Sequence, residues 1–231
     1  QLDDNLIVAK DLTGWIYTGQ GDCEKALKIL KPALKQAENL GKKYGLGFVL
    51  NGVGQVYECK EDLDSALFYY IRSIDIREEI DDKRGVGATL HNIGSVYYDK
   101  GNYEKALDYY TRSFGIKEEL GDMNGIGTNL VAIGAIYRDK GELDIALNYY
   151  ERSNKISEEL GNKRYLGETF GKIGIVYDRK GDLDTALEYH NKSLKIRMEL
   201  GNKRGTTFSL NNIGNIYADK GDYDEALNYY E

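Results

Sequence analysis

The residues that most often carry catalysis or metal binding are scarce in this chain. It has two histidines and two cysteines among 231 residues: His91, His190, Cys23 and Cys59. No further cysteine and no paired histidine lies near any of them in sequence, as a metal site or a nucleophile and its base would require. We therefore expect a protein that is not an enzyme, with no catalytic residue, no metal and no cofactor.

Short glycine pairs are the second pattern that could do chemistry, because glycine-rich turns can hold phosphates. Here the Gly-x-Gly pairs do not continue as a dinucleotide-binding fingerprint and follow no predicted strand. They occur at residues 45 and 47, 85 and 87, and 125 and 127. Their regular spacing indicates a structural repeat, so they carry no prediction of phosphate binding.

Charge and chain composition exclude several classes of partner. The net charge is −7 with 31 basic and 38 acidic residues, which opposes the basic surface that nucleic acids need. The longest uncharged stretch, Met123 to Tyr137, has 15 residues and is too short to span a bilayer. These two observations predict that nucleic acids and membranes are not partners. Two cysteines cannot build a disulfide framework, so we expect a reducing, cytoplasmic location. Because residue 1 is Gln, we also expect the chain to be part of a longer protein.

The elements that position these residues follow an exact repeat of 40 residues. Glycine recurs at 14, 54, 94, 134, 174 and 214, tyrosine at 17 to 217 and alanine at 26 to 226 in the same steps. A fixed period of this length is typical of solenoids. We predict one solenoid domain over residues 1–231, with repeats at approximately 1–40, 41–80, 81–120, 121–160, 161–200 and 201–231. Five repeats are complete, and the sixth has 31 residues.

Each repeat has the pattern of two amphipathic helices. Apolar residues in 90–120 recur at steps of three and four. Glycine at 21, 101, 141, 181 and 221 ends the first helix, and an Asp or Asn follows as a helix N-cap, except for the weaker Glu142. A second turn of the same kind has glycine at 41, 121, 161 and 201. Such short loops make neighbouring helices antiparallel.

The glycine column at 14 to 214 lies inside the first helix, where glycine costs about 0.5–1 kcal/mol relative to alanine. We expect the second helix to approach closely there, with the small alanine of the 26 to 226 column at the facing point. The tyrosines are predicted to serve packing, since 15 of the 20 fall in three columns, 17, 29 and 30 of the repeat. His190 stands in the last of these columns and is predicted to be a packing substitution.

The repeat resembles the tetratricopeptide repeat. In the third repeat the characteristic positions are Leu90, Ile93, Gly94, Tyr97, Ala106 and Tyr110. The period exceeds the common 34 residues, and this longer form resembles the subclass of spindle-orientation adaptors, kinesin light chains and bacterial signalling proteins. The resemblance implies an all-α fold, an α-solenoid of antiparallel helix pairs. It further implies a concave groove, lined by first helices, that holds an extended peptide or a partner helix.

By this resemblance the groove-facing positions are 8, 11, 15, 18 and 19 of each repeat. Seven acidic residues against Arg138 and Arg179 occupy them, which favours a neutral or basic ligand. Amides at these and neighbouring positions suit a peptide backbone, although the column of Asn92 and Asn212 is as well explained by bridges between repeats. The predicted groove residues are Asn51, Gln55, Glu58, His91, Asn92, Ser95, Tyr98, Asp99, Arg138, Asp139, Asp178, Arg179, Asn211, Asn215 and Asp219.

Two functions fit these observations. The first is a non-catalytic scaffold that binds a protein or peptide partner in its groove. The second is a ligand-sensing arm that regulates an effector domain outside the 231 residues. Solenoid ends need a capping repeat, so we also expect the incomplete sixth repeat either to fray or to support end-to-end self-association.

Overall fold

The computed structural model describes the backbone of residues 2–231 and the side chains of residues 5–231. Its regular secondary structure is entirely helical over this range. The helices are α1 Leu2–Gly19, α2 Cys23–Leu40, α3 Lys43–Cys59, α4 Leu63–Glu79, α5 Lys83–Asp99, α6 Tyr103–Glu119, α7 Met123–Asp139, α8 Leu143–Glu159, α9 Lys163–Arg179, α10 Leu183–Glu199, α11 Lys203–Asp219 and α12 Tyr223–Tyr230. The predicted helix pairs are therefore confirmed.

The helices form two compact units, Gln1–Asp122 and Met123–Glu231, called the N-terminal and C-terminal units below. In each unit every helix packs on the next one along the chain, as in α3 with α4 and α9 with α10. First helices of adjacent repeats also touch one another, α1 with α3 and α3 with α5 in the N-terminal unit, and α9 with α11 in the C-terminal unit. The first helices of neighbouring repeats therefore form a shared face within each unit.

The predicted turn residues end and begin the helices as expected. The turn glycines adopt positive φ, for example Gly21 at 79° and Gly201 at 64°. N-cap side chains such as Asp62 accept a hydrogen bond from the backbone N–H three residues later, whereas Glu142 does not. Two of the turns have no glycine. Glu61 (φ 59°), at the position equivalent to Gly21, and Asp81 (φ 55°), at the position equivalent to Gly41, take the left-handed conformation instead. This conformation is unfavourable for residues with a side chain.

The glycine column inside the first helix has a different partner from the one expected. A Cβ at Gly54 would lie 2.6 Å from the ring of Tyr70, and one at Gly174 would lie 2.8 Å from the ring of His190. The side chain at position 30, which is a ring in every repeat except the first, where it is Leu30, faces the glycine in place of the alanine at position 26. The expectation of a small facing residue was wrong, because the glycine makes room for a flat ring and not for a second backbone.

The remaining tyrosine columns pack within each repeat, as predicted. Tyr57 stacks on Tyr69 with ring centroids 5.3 Å apart, and the same pair recurs in later repeats, for example Tyr177 and Tyr189 at 5.5 Å. His190 is 1% exposed and fills the ring position of the fifth repeat. These contacts confirm that the aromatic residues build the repeat interior.

A disulfide joins the two cysteines, which the sequence did not predict. Cys23 begins α2 and Cys59 ends α3, and their Cα atoms are 6.2 Å apart. The expectation that two cysteines without a framework indicate a reducing setting is therefore not supported by their placement. Ion pairs with the same separation of 36 residues join adjacent repeats, such as Lys60 with Glu24 next to the disulfide and Lys180 with Asp144 in the C-terminal unit.

Candidate functional site

In the N-terminal unit, two of the predicted groove side chains, Asn51 and Asn92, connect adjacent repeats. Asn51 on α3 accepts hydrogen bonds from Thr89 Oγ1 at 3.2 Å and from Asn92 Nδ2 at 3.1 Å, both on α5. This is the inter-repeat bridge that the sequence left open for the Asn92 column. The equivalent Asn212 differs, because its buried Nδ2 has no hydrogen-bond partner.

Glu58 is the centre of a second cluster on the same face. Its carboxylate accepts hydrogen bonds from Tyr70 Oη at 2.8 Å and Ser95 Oγ at 3.3 Å. Burial raises the pKa of Glu58 above its ordinary value, and the neighbouring charge of Asp99 raises it further. The pKa of Asp99 is itself raised by burial. Two carboxylates close together favour a cation between them.

The other predicted residues of this unit lie on α3 and α5, the helices that also carry Glu58 and Asp99. His91 packs against Tyr110 with ring centroids 5.1 Å apart, and Tyr98 packs against Tyr103 at 5.8 Å. Gln55 is partly exposed. The N-terminal unit therefore brings acidic, amide and aromatic side chains together on the face of α3 and α5.

In the C-terminal unit, the predicted residues of α7 and α9 form an ion-pair cluster. Arg138 donates to Asp139 through Nε at 2.8 Å and Nη2 at 2.9 Å. Arg179 donates to the Arg138 carbonyl oxygen at 3.0 Å and to Asp139 Oδ1 at 3.4 Å. Asp139 thus lies between two guanidinium groups, and its charge is compensated within the cluster.

The last predicted residues lie on α9 and α11. Burial raises the pKa of Asp178, and the charge of Asp219 adds to the effect. Asn215 accepts a hydrogen bond from Tyr230 Oη at 2.7 Å, whereas Asn211 and Asp219 are exposed. The sequence placed Asn211, Asn215 and Asp219 on one face, and no described contact joins the three.

Beside this face, the C-terminal unit has a cavity of about 540 Å³ whose charge differs from that of the predicted groove. Five cationic side chains and only one carboxylate, Glu168, line it. Four of the cations lie outside the five groove columns, at repeat positions 4, 12 and 37. The count of charged residues at the groove positions therefore did not include them. The lining residues are Arg138, Arg164, Glu168, Gly171, Lys172, Ile175, Arg197, Asn202, Arg204, Gly205 and Phe208.

The described residues contain no group of three or more His, Cys, Asp or Glu side chains placed to hold a metal ion. Over the same part of the chain, no helix is long and apolar enough to cross a membrane. The arrangements that the structure does provide are a carboxylate cluster around Glu58 and a cationic cavity around Arg197. Both are suited to recognising charged groups on a partner.

Helix pairs that repeat every 40 residues, with first helices forming a shared face in each unit, define a helical repeat protein of the solenoid class. The tetratricopeptide repeat family model matches residues 14–79, 50–119, 125–199 and 165–231. The chain therefore belongs to the tetratricopeptide repeat family. Among curated proteins no sequence matches it significantly.

Three solved structures illustrate the fold similarity. BtubC (BKLC) from P. vanneervenii is 18% identical over 90% of this chain and 87% of that one, with a TM-score of 0.77. A STAND protein with a tetratricopeptide repeat sensor from Pyrococcus horikoshii is 18% identical over 99% of this chain and 36% of that one, with a TM-score of 0.75. NprR, in complex with its cognate peptide NprX, is 16% identical over 98% of this chain and 65% of that one, with a TM-score of 0.72.

Proposed function

We propose that this protein is a non-catalytic interaction module that binds a neutral or basic extended peptide, or a partner helix, on the face of its first helices. The observation that carries the proposal is the cluster around Glu58, where Asp99, Tyr70 and Ser95 surround a half-buried carboxylate with a raised pKa. A lysine or arginine of a bound peptide would stabilise the ionised form of this carboxylate. The peptide complex of NprR, a protein of similar fold, supports a peptide as the partner.

The predicted groove residues divide into roles under this proposal. Glu58 and Asp99 attract a basic side chain, while Gln55 and the amides of Asn211 and Asn215 serve the peptide backbone. Asn51 and Asn92 hold adjacent repeats in place, since they hydrogen-bond to each other. His91, Tyr98 and Ser95 shape the surroundings of the carboxylates. Asp178, Arg138, Asp139 and Arg179 lie on the corresponding face of the C-terminal unit.

The test is peptide binding with matched carboxylate variants. A library of labelled peptides of varied charge would be measured against wild type, Glu58→Gln and Asp99→Asn by fluorescence anisotropy. We expect peptides with Lys or Arg to bind, and each variant to weaken them about threefold to tenfold. Glu118→Gln and Asp75→Asn remove equal charges from exposed positions on second helices and serve as controls. Equal affinities for wild type and both groove variants would contradict the proposal.

A sensor arm is the second candidate, and the repeat sensor of the Pyrococcus horikoshii protein favours it. This chain spans 36% of that protein, so any effector function would belong to other domains. In a sensor, the bound peptide changes the shape of the solenoid. Small-angle scattering with and without a saturating peptide distinguishes the two: a changed radius of gyration supports the sensor, and an unchanged one the scaffold.

The location and assembly of the protein are part of the proposal. A cytoplasmic location and the absence of nucleic-acid and membrane partners stay predictions, and the net charge of −7 supports the exclusion of nucleic acids. Alkylation and mass spectrometry of the protein isolated from cells test the location, because the Cys23–Cys59 disulfide would be reduced in the cytoplasm. Self-association through α12 is supported by its exposed apolar residues Tyr223 and Leu227, which are 68% and 58% exposed. Sedimentation of wild type and Leu227→Asp tests it.

A further inference from the structure

The cavity in the C-terminal unit contains a buried cation that forms no direct ion pair with a carboxylate of the described residues. Arg197 on α10 is 8% exposed. Its Nη1 donates to the Gly205 carbonyl oxygen at 2.9 Å and to Ser209 Oγ at 3.0 Å. Its Nε is buried without a hydrogen-bond partner. The charge of Glu168 acts on Arg197, but the ion pair of Glu168 is with Arg164. A buried charge without a direct ion pair is unfavourable, so this site can accept a further negative charge.

The N-terminal unit shows how the same repeat position is completed. Arg77, 120 residues before Arg197 and 4% exposed, donates from Nη1 to Asp82 Oδ2 at 2.8 Å. Lys117 occupies the position in the third repeat, and Asp122 follows it at the same spacing and raises its pKa against the effect of burial. After Arg197 the corresponding residue is Asn202. The substitution keeps the helix cap, since Asn202 accepts from the Gly205 N–H at 2.9 Å, but removes the charge.

Other side chains enlarge this positive site. Lys172 on α9 and Arg204 on α11 line the cavity and form no ion pair with the described residues. Arg164 pairs with Glu168 at 3.4 Å, and Arg138 pairs with Asp139. The cations without a paired carboxylate in the cavity are therefore Lys172, Arg197 and Arg204. Burial lowers the pKa of Lys172 and the charge of Arg138 lowers it further, while the charge of Glu168 partly opposes this effect; a bound anion would also raise the pKa.

We propose that this cavity binds the carboxylates of an acidic peptide segment, with Arg197 as the buried anchor and Lys172 and Arg204 around it. The cavity, of about 540 Å³, is large enough for more than one side chain, and its three cations without carboxylate partners match several carboxylates better than a single small anion. Phe208, which is 46% exposed, and Ile175 offer apolar contacts beside the charges. The proposal rests on peptide binding as the general function and assigns to the C-terminal unit a segment of opposite charge from that at Glu58.

Asn202→Asp is the decisive variant, because it installs the carboxylate that Arg77 already has in Asp82. The side chain remains a good N-cap, so we expect the fold to persist and thermal stability to be equal or higher. The engineered carboxylate would occupy the site of the ligand. Asn162→Asp makes the same change at the N-cap of α9, where Asn162 accepts from the Tyr165 N–H and repeat position 37 is Ser157. It is the matched control.

The assay is fluorescence anisotropy with a labelled decapeptide of Asp, Glu and Phe, and with its counterpart in which Asn and Gln replace the acids. We expect the acidic peptide to bind wild type at least about tenfold more tightly than the amide peptide. Asn202→Asp should weaken binding by about tenfold or more, and Asn162→Asp by less than about twofold. Lys172→Gln and Arg204→Gln should each weaken it about threefold to tenfold, whereas Lys195→Gln, at an exposed position on α10, should not.

Two outcomes would overturn the proposal. One is an acidic peptide that binds wild type and Asn202→Asp equally, or not at all. The other is displacement of the peptide by inorganic phosphate at concentrations near the peptide's own dissociation constant, which would indicate a site for small anions. Loss of binding of basic peptides in Glu58→Gln is measured separately, so failure of this site is distinguishable from failure of the general peptide-binding function.

Discussion

His190 makes the stability of the protein depend on pH in a way that can be calculated. The imidazole lies against Gly174 in the interior of the fifth repeat, and its Nδ1 has no hydrogen-bond partner. Burial, together with the smaller effect of the charge of Arg197, lowers the pKa of His190 from 6.5 to about 4. The folded protein therefore holds the imidazole neutral, while the unfolded chain takes up a proton below its ordinary pKa.

The sign and size of the effect follow from linkage. Between the folded and unfolded pKa values the unfolded state binds more protons, so stability falls as the pH falls. Each pH unit over that window is worth about 1.4 kcal/mol, which gives a loss of about 3 kcal/mol between about pH 7.5 and pH 4. Asp11 acts in the opposite direction, because burial raises its pKa to about 7 and its ionisation destabilises the folded state as the pH rises. The wild-type profile therefore sums several groups.

The variant His190→Phe isolates the histidine. Phenylalanine keeps a ring over Gly174, as Tyr70 does over Gly54, but cannot take up a proton. Urea denaturation of both proteins would be followed by circular dichroism from about pH 7.5 to pH 4. The free energy of unfolding of the variant minus that of wild type should grow by about 3 kcal/mol over this range. Parallel profiles for the two proteins would refute the assignment of a buried neutral imidazole.

Three further changes test the packing of a helix pair, the strain in a turn and the contribution of the disulfide. Ala106→Leu should lower stability by about 1–3 kcal/mol, because the alanine is fully buried and a larger side chain overpacks the helix pair; an unchanged melting temperature would contradict this. Glu61→Gly should raise stability by about 1 kcal/mol, since glycine relieves the positive φ, and no gain in a urea titration would argue against strain there. Replacing both Cys23 and Cys59 by serine should cost up to about 4 kcal/mol for the closed loop, measured against oxidised wild type; a loss below about 1 kcal/mol would show that the disulfide adds little.

Much of the fold could be predicted from the sequence, because every repeat contains the same local signals for helices and turns. The spacing of apolar residues defined two helices in each repeat, and turn glycines such as Gly21 and caps such as Asp62 marked their ends. These signals act within a few residues of one another, so they need no knowledge of the tertiary structure. The burial of the tyrosines and of His190 followed from the same periodicity.

The candidate sites were predicted only in part. The groove columns led to Glu58 and Asp99, since each column collects the residues at one position of the first helix in successive repeats. They missed the cavity around Arg197, because it combines side chains from α7, α9, α10 and α11 at different repeat positions. The sequence signal for this cavity was the replacement of Asp82 by Asn202 at the equivalent repeat position. Its meaning depends on the structure, because only the structure shows that Arg77 pairs with Asp82.

The sequence by itself determined the repeat, the helix boundaries and the family, because these depend on patterns that recur every 40 residues. Only the tertiary structure decided that a ring faces Gly54, that Cys23 meets Cys59, and that Arg197 is buried without a direct ion pair. The physical reason is that burial and pairing depend on distances between helices. A repeated sequence predicts the same local structure for the corresponding helix of each repeat. The environment of the few residues that break the repeat depends on neighbouring side chains that only the folded chain brings close.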